Sequence, residues 1–247
     1  MSQRTVLITG ANGGIGQALC GGFRNAGWNV IGSDRDAKAG SALDAYVSLD
    51  LARFCRDAAY RNEGLNVIQR AIPEGGLHAL INNAAIQIVA PVEKLTSDDW
   101  RTTMDVNLLA PFLLTQALLQ ELEKAKGSAI NIASIHAQLT KPQFTAYATS
   151  KAALVGLTRS LSVELGSRVR VNAICPAAIA TPMLVDGFKG NPEGLKNLAN
   201  YHPSGTIGTT DDVALAALYL AGSDSAFLNG TVLGLDGGIA ARLHDPI

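Results

Sequence analysis

Short apolar runs alternate with helical patterns along the whole of this 247-residue chain, and that alternation is its strongest constraint. Runs at 5–9, 29–33, 46–49, 77–81, 129–134, 169–174 and 231–235 read as strands. Most are four to six residues long with little polar alternation, as strands are when helices cover both faces. Helical patterns lie between them at 15–26, about 51–71, 97–124, 146–165 and 210–221. Ser97 before Asp98 and Asp99, and Thr210 before Asp211 and Asp212, would cap two of these helices and put acid at the positive end. This order predicts an α/β fold, a doubly wound parallel sheet of about seven strands. No linker, composition break or repeat divides residues 1–247, so one domain is expected. The segment 181–208, rich in Gly, Pro and Asn, is long for a plain connection and reads as a substrate lid.

Composition narrows the function. Twenty basic and 21 acidic residues are mixed along the chain, with no basic run to track a phosphate backbone, so nucleic acid is not an expected partner. No stretch approaches the ~20 apolar residues of a membrane span, and Met-Ser-Gln-Arg enters an apolar run at Val6 without a signal-peptide core. Cys20, Cys55 and Cys175 are odd in number and lack metal-ligand spacing. They read as reduced, packed thiols in a cytoplasmic protein without a metal.

The first strand runs into Thr9-Gly10-Ala11-Asn12-Gly13-Gly14-Ile15-Gly16 and then directly into a helix. Gly10 suits the tight turn, Gly14 the close approach of a pyrophosphate, and Gly16 the packing of helix on strand. The helix N-terminus adds amides and a positive dipole. Gly10, Asn12, Gly13, Gly14, Ile15 and Gly16 are therefore expected around the phosphates of a dinucleotide, in a Rossmann-type unit. The second strand ends at Asp34, 18 residues after Gly16. A carboxylate there accepts hydrogen bonds from the adenosine ribose and repels a 2′-phosphate, which points to NAD. Arg35 opposes that reading, because a guanidinium beside the ribose pairs with such a phosphate.

Tyr147 and Lys151 lie four apart on a predicted helix, hence on one face. An ammonium near a phenol lowers its pKa, normally ~10, toward proton exchange at neutral pH. Ser134, read as the end of the fifth strand, sits at the carboxyl edge where such sheets bind ligands, and its hydroxyl could hold the same substrate oxygen.

Together these residues resemble the classical short-chain dehydrogenase/reductase family over nearly the whole chain. The match also includes Asn82-Asn83-Ala84-Ala85, Asn107 within Asp105-Val106-Asn107-Leu108, Tyr147-Ala148-Thr149-Ser150-Lys151, Pro176 to Thr181, and Leu235-Asp236-Gly237-Gly238. The resemblance implies that Tyr147 is the general acid/base, Ser134 the substrate-oxygen partner, and Lys151 both pKa modifier and ribose ligand. Asn107 would hold a water linking Lys151 to solvent. Asp50 and Leu51 would contact the adenine, Asn83 and Ala84 the ribose region, and Pro176, Ile179 and Thr181 the carboxamide side. Asp50 could instead cap the following helix, and Asn107 could cap or kink its own. Ala85 and Ala177 stand where the family usually has Gly, and 57–76 is a few residues longer than usual.

Gln87, His136, Gln138 and Phe144 are the further residues expected to face the substrate. Gln87 and His136 resemble positions where 3-hydroxybutyrate dehydrogenases hold a carboxylate, but the lysine those enzymes carry is Phe144 here. Ser134-Ile135-His136 followed by Pro142 and Phe144 resembles glucose 1-dehydrogenases, which suit a neutral polyol. His202, on the lid, is read as exposed to solvent. The expected activity is an NAD-dependent interconversion of a small polar secondary alcohol and its ketone. The alternatives are a carbonyl reductase for a bulkier or thioester-linked ketone and, in another class, a dinucleotide-binding sensor without turnover. The resemblance also implies a homotetramer or homodimer built on the helices at 97–124 and 146–165.

Overall fold

Alternate residues of the central strands divide between two apolar layers, and this division builds the fold. The computed structural model describes residues 3–41 and 43–243. Its strands are β1 (Thr5–Thr9), β2 (Asn29–Asp34), β3 (Ala45–Ser48), β4 (Ala79–Asn82), β5 (Ser128–Ile132), β6 (Arg170–Pro176) and β7 (Val232–Leu235). They form one parallel sheet in the order β3-β2-β1-β4-β5-β6-β7. The helices are α1 (Gly14–Asn25), α2 (Leu51–Arg56), α3 (Ala58–Ala71), α4 (Ser97–Met104), α5 (Ala110–Ala117), α6 (Leu119–Lys124), α7 (Thr145–Leu165), α8 (Pro182–Gly187), α9 (Pro192–Tyr201) and α10 (Thr210–Ala221).

On one face Val6, Ile8, Val30, Ile81 and Ile130 pack against Leu19 and Phe23 of α1 and Val213 and Ala217 of α10. On the other, Leu7, Ile31, Leu80 and Ala129 meet Phe54, Ile68, Leu114 and Leu122. Every residue of β1, β4 and β5 is buried, which is why these strands read as unbroken apolar runs rather than alternating ones. The chain reverses direction across the sheet between β1 and β4, and that crevice at the carboxyl edge is where open α/β sheets take ligands.

The helices depart from the sequence reading in places with clear local causes. The pattern at 51–71 is two helices, because Asp57 is extended (φ −116°, ψ 106°) and its carboxylate accepts from the amides of Ala59 and Tyr60, starting α3. The pattern at 97–124 is interrupted by a π-helical turn, Asp105–Leu109, and broken again at Leu118. The cap before Asp98 and Asp99 is Thr96, not Ser97, and that of the last long helix is Thr209, not Thr210. In each case the acid three residues on, Asp99 or Asp212, completes a capping box. The segment 181–208 contains α8 and α9 rather than a bare loop. Its neck is closed by the Ala180 N–H bonded to the Gly208 carbonyl (2.8 Å) and the Gly208 N–H bonded to the Ala178 carbonyl (2.9 Å). Burial raises the thiols of Cys20 to about 11 and Cys55 to about 12, and that of Cys175 upward as well, so all three are poor nucleophiles.

Candidate active site

The turn after β1 is built to admit something against its backbone. Gly10 has φ +66°, and a Cβ there would lie 2.8 Å from Ala84 Cα and 2.9 Å from Asn83 Nδ2. A Cβ on Gly16 would collide with the Gly10 carbonyl, and one on Gly14 would come within 2.9 Å of Pro182 Cδ. Gly13 starts α1 without a side-chain cap, which leaves first-turn amides for an anion. These features fit a dinucleotide pyrophosphate. Asn83 braces the turn: its Nδ2 donates to the carbonyls of Thr9 (2.9 Å) and Gly10 (3.1 Å), while the Asn83 and Ala84 amides donate to Thr9 Oγ1.

Asp34 closes β2 beside this turn. One carboxylate oxygen accepts from the Asn12 amide (3.0 Å) and the other from the Arg35 amide (2.8 Å). A carboxylate offers about four lone-pair sites, so capacity for a ribose remains. Asp50 serves as the N-cap of α2, accepting from Ala52 (2.9 Å) and Arg53 (3.1 Å) through one oxygen, while Leu51 is buried at that helix start. Pro176 ends β6, buried Ile179 bridges Gly208, and Thr181 caps α8 through its hydroxyl while standing against Gly14. Ile15, in the first turn of α1, packs against the α1-side core.

The second cluster gathers on the first turns of α7. Tyr147 lies beside the side chain of Ser134, which favours its ionised form. Ser134 lies two residues beyond the end of β5 rather than within it, and its Oγ accepts from the His136 amide (3.2 Å), fixing the start of a short 3-10 turn. Lys151 is 2% exposed, donates to the Ile132 carbonyl (2.7 Å), and holds its ammonium 5.7 Å from the Tyr147 ring centroid. Burial lowers its pKa to about 8. The sequence reading had the phenol driven down by this ammonium. In the fold burial dominates and raises the Tyr147 pKa, opposed by the Ser134 hydrogen bond, so the phenol is held as the acid.

Asn107 sits in the π-helical turn, buried. Its Oδ1 accepts from the Ile86 amide (2.9 Å), and its Nδ2 donates to the Ile86 carbonyl (2.9 Å) and to Ser150 Oγ (3.0 Å). Ser150 in turn donates to the Tyr147 carbonyl (2.7 Å). Asn107 thus ties the segment after β4 to the helix turn that carries Tyr147, a use of a π-turn common at functional sites. Ser150 was not picked out by sequence reasoning, although it lies inside the Tyr147–Lys151 motif. A buried ladder supports the same helix from below: Asn82 Nδ2 donates to Asn131 Oδ1 (2.8 Å), and Asn131 Nδ2 to Thr158 Oγ1 (2.9 Å).

Of the residues expected at the substrate, His136 and Phe144 reach Tyr147. Their rings stack on each other (4.6 Å, 14°), and His136 meets Tyr147 edge-on at 5.5 Å. Lys141 lies over the Phe144 ring (4.8 Å). Burial, with help from Lys141, lowers the His136 pKa, so the imidazole is neutral at pH 7. Gln87 and Gln138 are exposed. His202, read as exposed, is instead 3% exposed, because it closes α9 against the β7 end of the sheet and bonds through Nδ1 to the Leu198 carbonyl (2.9 Å). Among the described residues no cluster of His, Cys, Asp or Glu could hold a metal, and no helix is long and apolar enough to cross a membrane.

A family model described as enoyl-(acyl carrier protein) reductase, of the short-chain dehydrogenase/reductase family, matches residues 10–240. The chain is 34% identical to D-threitol dehydrogenase of Mycolicibacterium smegmatis, across 98% of this chain and 95% of that one. It is 31% identical to 3beta-hydroxysteroid dehydrogenase 1 of Eggerthella lenta, across 97% and 94%. Ligand-free aldohexose dehydrogenase of Thermoplasma acidophilum superposes with a TM-score of 0.90 at 28% identity, covering 99% of this chain and 97% of that one. Solved neighbours hold either dinucleotide. 4-Hydroxyisoleucine dehydrogenase is complexed with NADH (TM-score 0.87, 29% identity, covering 98% and 100%), and ElxO binds NADP (0.87, 27%, covering 98% and 100%). This chain belongs to the short-chain dehydrogenase/reductase family and is an NAD(P)-dependent oxidoreductase acting between hydroxyl and keto groups.

Proposed function

We propose that the chain interconverts a small polar secondary alcohol and its ketone, prefers NAD, and uses Tyr147 as general acid/base. The observation that carries this reading is the half-buried Tyr147 phenol beside the Ser134 side chain, with the Lys151 ammonium 5.7 Å from its ring. The nicotinamide, when bound, accepts or returns the hydride of the carbinol carbon. Ser134 orients the substrate oxygen, and Tyr147 takes its proton during oxidation or gives one during reduction. Lys151, cationic below about pH 8, stabilises the phenolate that oxidation requires and that reduction leaves behind. Asn107, fixed by three hydrogen bonds, holds the turn of α7 and is the proposed outlet of the proton relay. Gly10, Gly13, Gly14, Gly16 and Ile15 would receive the pyrophosphate, Asp34 the adenosine ribose, Asp50 and Leu51 the adenine side, and Pro176, Ile179 and Thr181 the carboxamide side.

A neutral His136 against Phe144 suits a hydroxyl better than a carboxylate, since it offers a hydrogen bond without a charge. The likeness to D-threitol dehydrogenase points the same way. The steroid-acting relative keeps open a ketoreductase for bulkier substrates. A screen of polyols, sugars and hydroxy acids with NAD, and of ketones with NADH, read by absorbance of the reduced cofactor, tests the proposal. Turnover of neutral polyols supports it, and turnover confined to bulky ketones favours the second reading. No turnover with intact dinucleotide binding would leave a sensor.

Asp34→Ala is expected to lower the NAD/NADP ratio of kcat/KM by about 10-fold, since a charged hydrogen bond is lost together with a repulsion. Arg35→Ala should raise that ratio or leave it alone. A parent enzyme that prefers NADP would make Arg35 the deciding residue. The proposed assembly is a homodimer or homotetramer on the α4–α5 and α7 faces, where Trp100, Leu109 and Val163 are exposed. Light scattering should give two or four times the 25.8 kDa chain mass, and a monomer at micromolar concentration would overturn it. Three free cysteines support the cytoplasm as its compartment.

A further inference from the structure

Asn12 spends all of its polar atoms inside the protein. Its backbone N–H donates to Asp34 Oδ2 (3.0 Å), and its backbone carbonyl accepts from Gln17 Nε2 (2.8 Å). Its side-chain oxygen accepts from the Gly40 amide (2.7 Å). The two hydrogens on Nδ2 are shared among Asp36 Oδ2 (3.1 Å), the Lys38 carbonyl (3.0 Å) and the Tyr46 hydroxyl (3.2 Å). Tyr46, on β3, donates its own hydroxyl proton to the Asp36 carbonyl (2.8 Å). One residue of the phosphate turn and one tyrosine therefore pin residues 36–40 against the turn. The consequence is electrostatic: two carboxylates, Asp34 and Asp36, are both hydrogen-bonded to the same residue, at the strand end where the adenosine ribose is proposed to sit.

We infer that Asn12 and Tyr46 form a latch that holds Asp36 as a second carboxylate beside Asp34, so that the site takes a free 2′-hydroxyl and rejects a 2′-phosphate. Asn12 and Tyr46 act as positioning residues, and Asp36 adds to the specificity. This rests on the proposal that the turn and Asp34 receive the dinucleotide. A 2′-phosphate carries close to two negative charges and would meet two like charges there in place of one. Asp36 is exposed, so each repulsion is worth only severalfold and is screened by salt. Removing the Tyr46 hydroxyl takes away the bond it donates to the Asp36 carbonyl and the one it accepts from Asn12, which lets Asp36 move away.

The test is a fluorescence titration of NADH and NADPH against the full chain, its Asp36→Asn and Tyr46→Phe variants, and Asp34→Ala, at low and raised salt. Asp36→Asn should tighten NADPH about fivefold while NADH stays within twofold, and the gain should shrink as salt is added. Tyr46→Phe should cut the NADH/NADPH preference by about fivefold with the melting temperature held near the parent's. In turnover assays its KM for NADP should fall, while the KM values for NAD and for the alcohol stay within twofold. A general loss of folding would lower signal without changing the ratio. If both variants keep the parent's preference within twofold while Asp34→Ala loses it, the latch is wrong and the cofactor reading stands. A parent that binds neither dinucleotide, or prefers NADPH with Asp34→Ala inert, overturns the cofactor reading and the latch with it.

Discussion

Tyr147→Phe should lose roughly 10²–10⁴-fold in kcat, the usual cost of removing a positioned acid–base group, while NADH binding stays within about threefold. The substitution removes one oxygen. It leaves the ring that stands edge-on to His136 (5.5 Å) and under which Lys151 sits, and the Tyr147 carbonyl still receives Ser150. Packing and the cofactor turn are therefore kept, and only the transferable proton and the phenol's interaction with Ser134 are lost. Near-parent turnover in this variant would remove Tyr147 from the mechanism.

Lys151→Met should separate stability from activity. Methionine has nearly the length of lysine and no charge, and the site is closed: Lys151 is 2% exposed and makes its hydrogen bond to the Ile132 carbonyl. A lysine whose folded pKa falls from 10.5 to about 8 binds its proton less tightly in the native state than in the unfolded one. The cost of holding the cation is present in full below about pH 8 and fades as pH rises toward 10.5. Relieving it at pH 7 should stabilise the fold by about 1–3 kcal/mol, the order implied by the shift after allowance for the lost hydrogen bond. Over the same range the parent should gain stability with pH relative to the variant, so the difference between them closes. Turnover should fall by at least about 100-fold, and residual alcohol oxidation should climb only at higher pH, since the phenol loses its nearest cation. A variant that is both less stable at pH 7 and fully active would contradict the account of this buried charge.

Much of this was legible before any fold was seen, for reasons specific to certain residues. β1, β4 and β5 are buried on both faces, so their sequences are unbroken apolar runs that periodicity finds. Gly10 and Gly16 are visible because no side chain fits there. Helix interruptions were hidden: Asp57 looks like any surface acid until its carboxylate is seen capping α3, and the π-turn at Asp105–Leu109 leaves no trace in a 3.6-residue period. Thr96 and Ser97 are equally good caps by type, and the choice is made by which of them Asp99 can reach back to. Ser150, Tyr46 and Asp36 were missed because their roles come from partners 43, 34 and 24 residues away. His202 was misread because the Gly-, Pro- and Asn-rich segment around it reads as an exposed lid, although the turn that carries it packs on Gly237.

The central claim is that hydride leaves a carbinol carbon while Tyr147 takes the hydroxyl proton. The most direct measurement supplies an alcohol found in the screen with deuterium on that carbon, together with NAD, and weighs the reduced cofactor. The account predicts that the reduced cofactor carries the deuterium, that turnover slows on deuteration when chemistry limits the rate, and that Tyr147→Phe forms the labelled product at least about 100-fold more slowly. Reduced cofactor without the label, or label transferred equally fast by parent and Tyr147→Phe, would contradict it.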